Sequence, residues 1–152
     1  MKKLLCIYCL LCMTALAYAQ NLKFNANGKF KIVQFTDVHY IFNDPRAEVA
    51  IERINEVLNA ENPDLVMFTG DVIYGKPAEK SMRTVLEQVS KRKIPFAVTF
   101  GNHDDEQGLS REKLFEIIEN IPYSLTATTK GISGTTTVSY THLRAHETLA
   151  NL

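Results

Sequence analysis

The 152-residue sequence contains no tryptophan, and its three cysteines, Cys6, Cys9 and Cys12, all fall within the first dozen positions. Past Cys12 there is no thiol to build a disulfide framework, a thiolate metal site or a cysteine nucleophile. Seventeen basic residues against seventeen acidic ones leave a formal net charge of zero. That removes the electrostatic case for a nucleic-acid or membrane-surface partner. The Phe and Tyr residues are scattered, with no stacking spacing. The longest apolar run, Leu4 to Leu16, is shorter than the roughly 20 residues a membrane-spanning helix needs. What is present is ordinary globular composition, 45% hydrophobic and 22% charged. It excludes disorder, collagen-like repeats and low complexity, and the length suits one domain.

Residues 1–19 have the layout of a secretory signal peptide: basic Lys2 and Lys3, the apolar run, then Ala17-Tyr18-Ala19 as a small-x-small cleavage site before Gln20. A lipid-modified cysteine is disfavoured because none of the three follows the small residues such sites use. Cleavage would remove every cysteine and leave fifteen basic residues against seventeen acidic, a net charge of −2. The expectation is an exported chain, periplasmic or extracellular, with no membrane span after cleavage.

In the remaining chain, Leu22–Phe24 and Phe30–Thr36 flank Asn27-Gly28, a hairpin turn signal, and the second run reads as a strand. Asp44-Pro45 predicts a helix start, with Asp44 as N-cap and Ala47, Ile51, Ile54 and Leu58 in helical spacing to about Glu61. Leu65–Thr69 is a continuous apolar run, as a parallel strand buried on both faces requires. Pro77 opens a second helix bearing Met82, Val85, Leu86 and Val89, and Phe96–Phe100 is a third strand. Ser110 caps a third helix with Leu114, Ile117, Ile118 and Ile121. Strand and helix thus alternate three times, which predicts an α/β layer: a mainly parallel sheet with flanking helices. After Ser124 the periodicity disappears. Gly131-Ile132-Ser133-Gly134-Thr135-Thr136 lacks the lysine and the preceding strand of a phosphate loop and is set aside.

Polar motifs stand after each predicted strand. The first runs into Asp37-Val38-His39, the second into Gly70-Asp71, the third into Gly101-Asn102-His103-Asp104. The crevice outside the carboxyl ends of parallel strands is where such sheets bind ligands. Two carboxylates, an amide oxygen and two imidazoles delivered there form a donor set for divalent cations. Asp-x-His sends both side chains to one side of extended backbone, and an aspartate has two oxygens with which to bridge two ions. Separately, Asp-x-His and Gly-Asp are common surface turns. Gly-Asn-His-Asp is rarer, on the order of one chain in a few thousand, and a capping role for His103 would not explain three motifs after three strands.

Together the three motifs resemble the first three of the calcineurin-like metallophosphoesterases, a family that includes purple acid phosphatases. Phe35-Thr36 and Phe68-Thr69 before them are similar to its secreted bacterial and plant phosphatase-like branch. The resemblance covers roughly residues 30–120. It implies the N-terminal half of a four-layer αββα sandwich and two divalent metal ions of the Mn, Fe, Zn or Mg class. Asp37 and His39 would bind one metal, Asp71 would bridge, and Asn102 would bind the second. His103 would contact phosphate and assist the leaving group, with Asp104 holding its imidazole. Asp71-x-x-Tyr74 is similar to the pattern in which purple acid phosphatases use a tyrosinate on ferric iron. His39 occupies the first motif here, so Tyr74 is taken as a non-ligand. The implied reaction is hydrolysis of phosphoric esters by a dimetal-activated hydroxide, on a phosphate-ester small molecule or phosphorylated substrate.

The family's later Gly-His and Gly-His-x-His motifs are missing, and the only other histidines are His142 and His146. Val138 to Thr148 resembles the translation of a transposon-end sequencing adapter, so residues 138–152 are expected to be non-native. The genuine phosphoesterase sequence is then a partial domain, residues 20–137, inactive alone and with one sheet face short of its partner. The alternative from a different class is a non-catalytic exported binding domain that keeps a vestigial metal site.

Overall fold

The computed structural model describes residues 22–128 together with Thr135. The expected signal peptide, the adapter-like tail, His142, His146 and most of the Gly131–Thr136 stretch lie outside the described residues. Three strands, β1 (Ile32–Phe35), β2 (Leu65–Thr69) and β3 (Phe96–Thr99), alternate with α1 (Glu48–Glu61), α2 (Ala78–Ser90) and α3 (Arg111–Glu119), and a short 3-10 helix, Asp104–Gln107, precedes α3. The strands pair in parallel in the order β1-β2-β3, with Val33 beside Val66 and Phe68 beside Val98. The expected α/β fold with a parallel sheet is what forms.

Strands laid down in spatial order keep same-handed crossovers on one face of the sheet. The core obeys that rule. Val33, Val66, Phe68, Phe96 and Val98 pack against Ile54 and Leu58 of α1, Met82, Val85, Leu86 and Val89 of α2, and Leu114 and Ile118 of α3. Alternation sends Leu65, Met67 and Ala97 to the other face, where Leu22, Phe30 and Leu125 meet them. That second face is covered over β2 and β3, but Ile32 of the edge strand stays 46% exposed. Among the described residues, then, the expected shortage of cover is confined to β1. Among the described residues no helix is long and apolar enough to cross a membrane.

Local chemistry moved several boundaries. Asp44 does not cap α1: its carboxylate accepts from the Arg46 N–H and pairs the Arg46 guanidinium, and α1 begins four residues later, after Ala47. The Asp-Pro pair therefore builds a turn ahead of the helix. Pro77 lies just outside α2 in extended conformation. Ser110 caps α3 as expected, its hydroxyl accepting from the Lys113 N–H. The Asn27-Gly28 turn forms with Gly28 at φ 68, but Asn25 organises it, its side-chain oxygen accepting from the Asn27 and Lys29 N–H groups. Leu22–Phe24 forms no continuous strand.

Candidate metal and phosphate site

Beyond Phe35 and Thr69 the backbones of β1 and β2 continue side by side as irregular chain. Asp37 N–H donates to the Gly70 carbonyl, His39 N–H to that of Asp71, Tyr40 N–H to that of Val72, and Tyr74 N–H returns to Tyr40. Below this rim Tyr40 is buried, and its hydroxyl donates to Glu48. The rim differs from a regular ladder in its dihedrals: Asp37, His39 and Asp71 have φ of 53°, 50° and 51°. Side chains at positive φ are uncommon, and such strain collects at functional sites held by their surroundings.

Those three residues form the one group of acidic or imidazole donors among the described residues whose ligand atoms all lie within 4.8 Å of one another. His39 Nε2 is 3.7 Å from both Asp37 Oδ1 and Asp71 Oδ2. That is too long for hydrogen bonds. It matches donors sharing one cation, since ligands bound at about 2.0–2.2 Å stand roughly 3–4 Å apart. Two carboxylate oxygens and an imidazole nitrogen around a common space fit a divalent ion.

The third strand end is fastened to the second by reciprocal bonds. Asp104, fully buried, accepts from the N–H groups of Asp71 (3.0 Å) and Gly101 (2.9 Å) on Oδ2 and of Ile73 (3.0 Å) on Oδ1. Asp71 Oδ1 in turn accepts from the His103 N–H at 2.9 Å. The close fit explains Gly101: a Cβ there would collide with Asp71 Oδ1. Burial pushes the Asp104 carboxyl above its ordinary value, against the opposing pull of its main-chain donors. Asp104 was expected to hold the His103 imidazole; its oxygens are instead committed to main-chain N–H groups. It clasps two strand ends, and Glu106 contacts the imidazole, its Oε2 lying 2.6 Å from His103 Nδ1. That carboxylate raises the His103 imidazole above its ordinary pKa.

His39, Tyr74 and His103 face one another, with ring centroids 5.2 Å (His39–Tyr74), 5.0 Å (Tyr74–His103) and 5.6 Å (His39–His103) apart. Tyr74 is 47% exposed. All three motifs therefore meet at one rim. Asn102 sits exposed between Gly101 and His103 in the same loop. Two residues that sequence reasoning missed complete the rim: Glu106, and Arg111, whose guanidinium donates to the Gly101 carbonyl at 2.7 Å and to Asp105. A signal for Glu106 existed in its spacing three residues after His103, which becomes a contact once the segment takes a helical turn, here a 3-10 one.

Residues 30–148 match the calcineurin-like phosphoesterase family, and the match reaches into the stretch read as adapter-derived. The chain is 40% identical to "Phosphatase DCR2" of Saccharomyces cerevisiae over 70% of its own length and 22% of that protein's. It is 33% identical to "Probable inactive purple acid phosphatase 29" of Arabidopsis thaliana over 77% of its length and 34% of the relative's. A third relative, "Uncharacterized metallophosphoesterase YkuE" of Bacillus subtilis, is 34% identical over 49% of the chain and 26% of its own. The chain thus spans about a fifth to a third of these curated relatives, and its sheet with helices is consistent with the N-terminal half of a metallophosphoesterase fold. On the family match, the chain belongs to the calcineurin-like phosphoesterases.

Proposed function

We propose that this chain supplies the N-terminal part of the site of an exported, metal-dependent hydrolase of phosphoric esters. The observation that carries the reading is the Asp37–His39–Asp71 donor group, held in left-handed backbone at the carboxyl ends of β1 and β2. Asp37 and His39 would hold one divalent ion, Asp71 would reach two, and Asn102 would serve the second. A bound pair of such ions supplies water activation and neutralisation of phosphoryl charge. The chain's own residues do the rest. Asp104 keeps Asp71 and the His103 loop in register, and the His103 imidazole stands beside the donor group to hydrogen-bond a phosphate oxygen or serve the leaving group. The substrate is a phosphate-ester small molecule or a phosphorylated macromolecule.

A second reading has its own support: several relatives, among them purple acid phosphatases 29, 14 and 28 of Arabidopsis thaliana, carry "probable inactive" in their names. On that reading the rim is a vestigial metal site of an exported binding domain. Equilibrium dialysis of the chain against Mn²⁺ and Zn²⁺ tests what both share. Binding is expected in the wild type and lost in Asp71→Ala; equal uptake by both proteins would remove the metal-site claim. The later Gly-His and Gly-His-x-His motifs of the family separate the two: a form of this protein that carries them supports the hydrolase, and one in which they are eroded supports the binder.

A further inference from the structure

His103 closes the third strand-end loop and stands immediately before the 3-10 helix Asp104–Gln107. A 3-10 helix has three residues per turn, so side chains at i and i+3 eclipse. Here that stacks Glu106 over His103, and the Glu106 N–H also donates to the His103 carbonyl. The result is the 2.6 Å contact between Glu106 Oε2 and His103 Nδ1. Gln107 adds a second tie, its side-chain amide donating to the His103 carbonyl at 3.1 Å. On its other sides the ring packs against Tyr74 and His39, and the residue's main-chain N–H is held by Asp71. We propose that Glu106 is the positioning residue for His103, accepting the Nδ1 proton and leaving Nε2 as the free nitrogen of the imidazole.

Which imidazole nitrogen carries the proton is set by the hydrogen bond the other atom makes. Asp104 does not play this part: its oxygens turn to main-chain N–H groups, and the carboxylate at Nδ1 is that of Glu106. With Nδ1 committed to Glu106, Nε2 is the nitrogen that can exchange a proton with a phosphate ester. That last consequence rests on the phosphoesterase reading; the placement of the proton does not. The contrasting view is an incidental surface pair, since Glu106 is exposed and exposed ion pairs contribute little stability. The two views differ in what happens to the ring.

The test is ¹⁵N–¹H correlation of the His103 imidazole in the metal-free full chain, at a pH well above the ordinary imidazole range. Wild type is expected to carry the proton on Nδ1. Glu106→Ala is expected to switch it to Nε2 with the sheet amide resonances unmoved. Glu106→Gln, which keeps an acceptor oxygen, should restore Nδ1–H. Glu116→Ala, which breaks the similarly spaced Lys113–Glu116 pair, should leave the His103 signals in place. Nε2–H in the wild type, or Nδ1–H retained in Glu106→Ala, overturns the proposal. Because no metal or substrate is present, a failed dialysis experiment would sink the proposed function and leave this result standing.

Discussion

The helix-covered face of the sheet and its carboxyl rim are built from the same three strands by opposite means. On the face, buried apolar side chains interlock and the backbone is regular. At the rim, polar side chains bond to main-chain N–H groups, and the backbone leaves the allowed regions that most residues prefer. Of seven non-glycine residues with positive φ among the described residues, three are Asp37, His39 and Asp71. The stabilising face and the candidate site are therefore separated by only a few residues along each strand. The face over-determines the fold strongly enough for the rim to hold an unfavourable arrangement of like charges and strained dihedrals.

If that division holds, substitutions in the two regions should differ in kind. The largest loss belongs to the face. Phe68, fully buried at the centre of β2, should cost about 3–5 kcal/mol when truncated to Ala. That is a large share of the roughly 5–15 kcal/mol a domain has available, and a urea midpoint will measure it. A loss under ~1 kcal/mol would mean the described core is not the stabilising layer.

Asp104 tests the boundary between the regions, because it is a polar residue that acts as core. Asp104→Ala strands three main-chain N–H groups. Leaving a buried donor unsatisfied costs about 1–3 kcal/mol, so a total near 3 kcal/mol is expected after partial relief by water. Asp104→Asn keeps one acceptor oxygen and should lose less. Both variants should also weaken Mn²⁺ uptake by letting Asp71 drift from the third loop. A destabilised variant with unchanged metal uptake would break the claim that Asp104 couples the two strand ends.

The face was far more legible from sequence than the rim's internal wiring. Leu65–Thr69 announces a buried strand by its unbroken apolar run, and α2 by the spacing of Met82, Val85, Leu86 and Val89, because burial demands those patterns directly. The rim's composition was legible too: Asp37, His39, Asp71 and His103 each come just after a strand, and parallel strands deliver the residues beyond their carboxyl ends to one edge. The partner of each polar atom was not. Asp104 and Glu106 are both acids just past His103, and here the turn of a 3-10 helix sends the first inward to main-chain N–H groups and the second back over the imidazole. The start of α1 was misplaced for a similar reason, as Asp44 serves a local turn and Arg46 as readily as a helix end.

The smallest expected effect is the most pointed, because it should run opposite in sign to the others. Asp37 has φ 53 and its carboxylate lies 3.7 Å from His39 Nε2. A left-handed backbone costs an L-residue roughly 1–2 kcal/mol, less for Asp, and Gly is free of that penalty. Glycine also loses more entropy on folding, which offsets part of the gain. The Thr36 hydroxyl would lose its acceptor on Asp37, a contact made in water and of little consequence to stability. Asp37→Gly should therefore raise the metal-free urea midpoint slightly, by no more than ~1 kcal/mol, while Mn²⁺ uptake falls. A clear loss of stability would show that Asp37 supports the fold, and the separation between a stabilising face and a strained rim that carries the candidate site would fail at the residue where it is drawn most sharply.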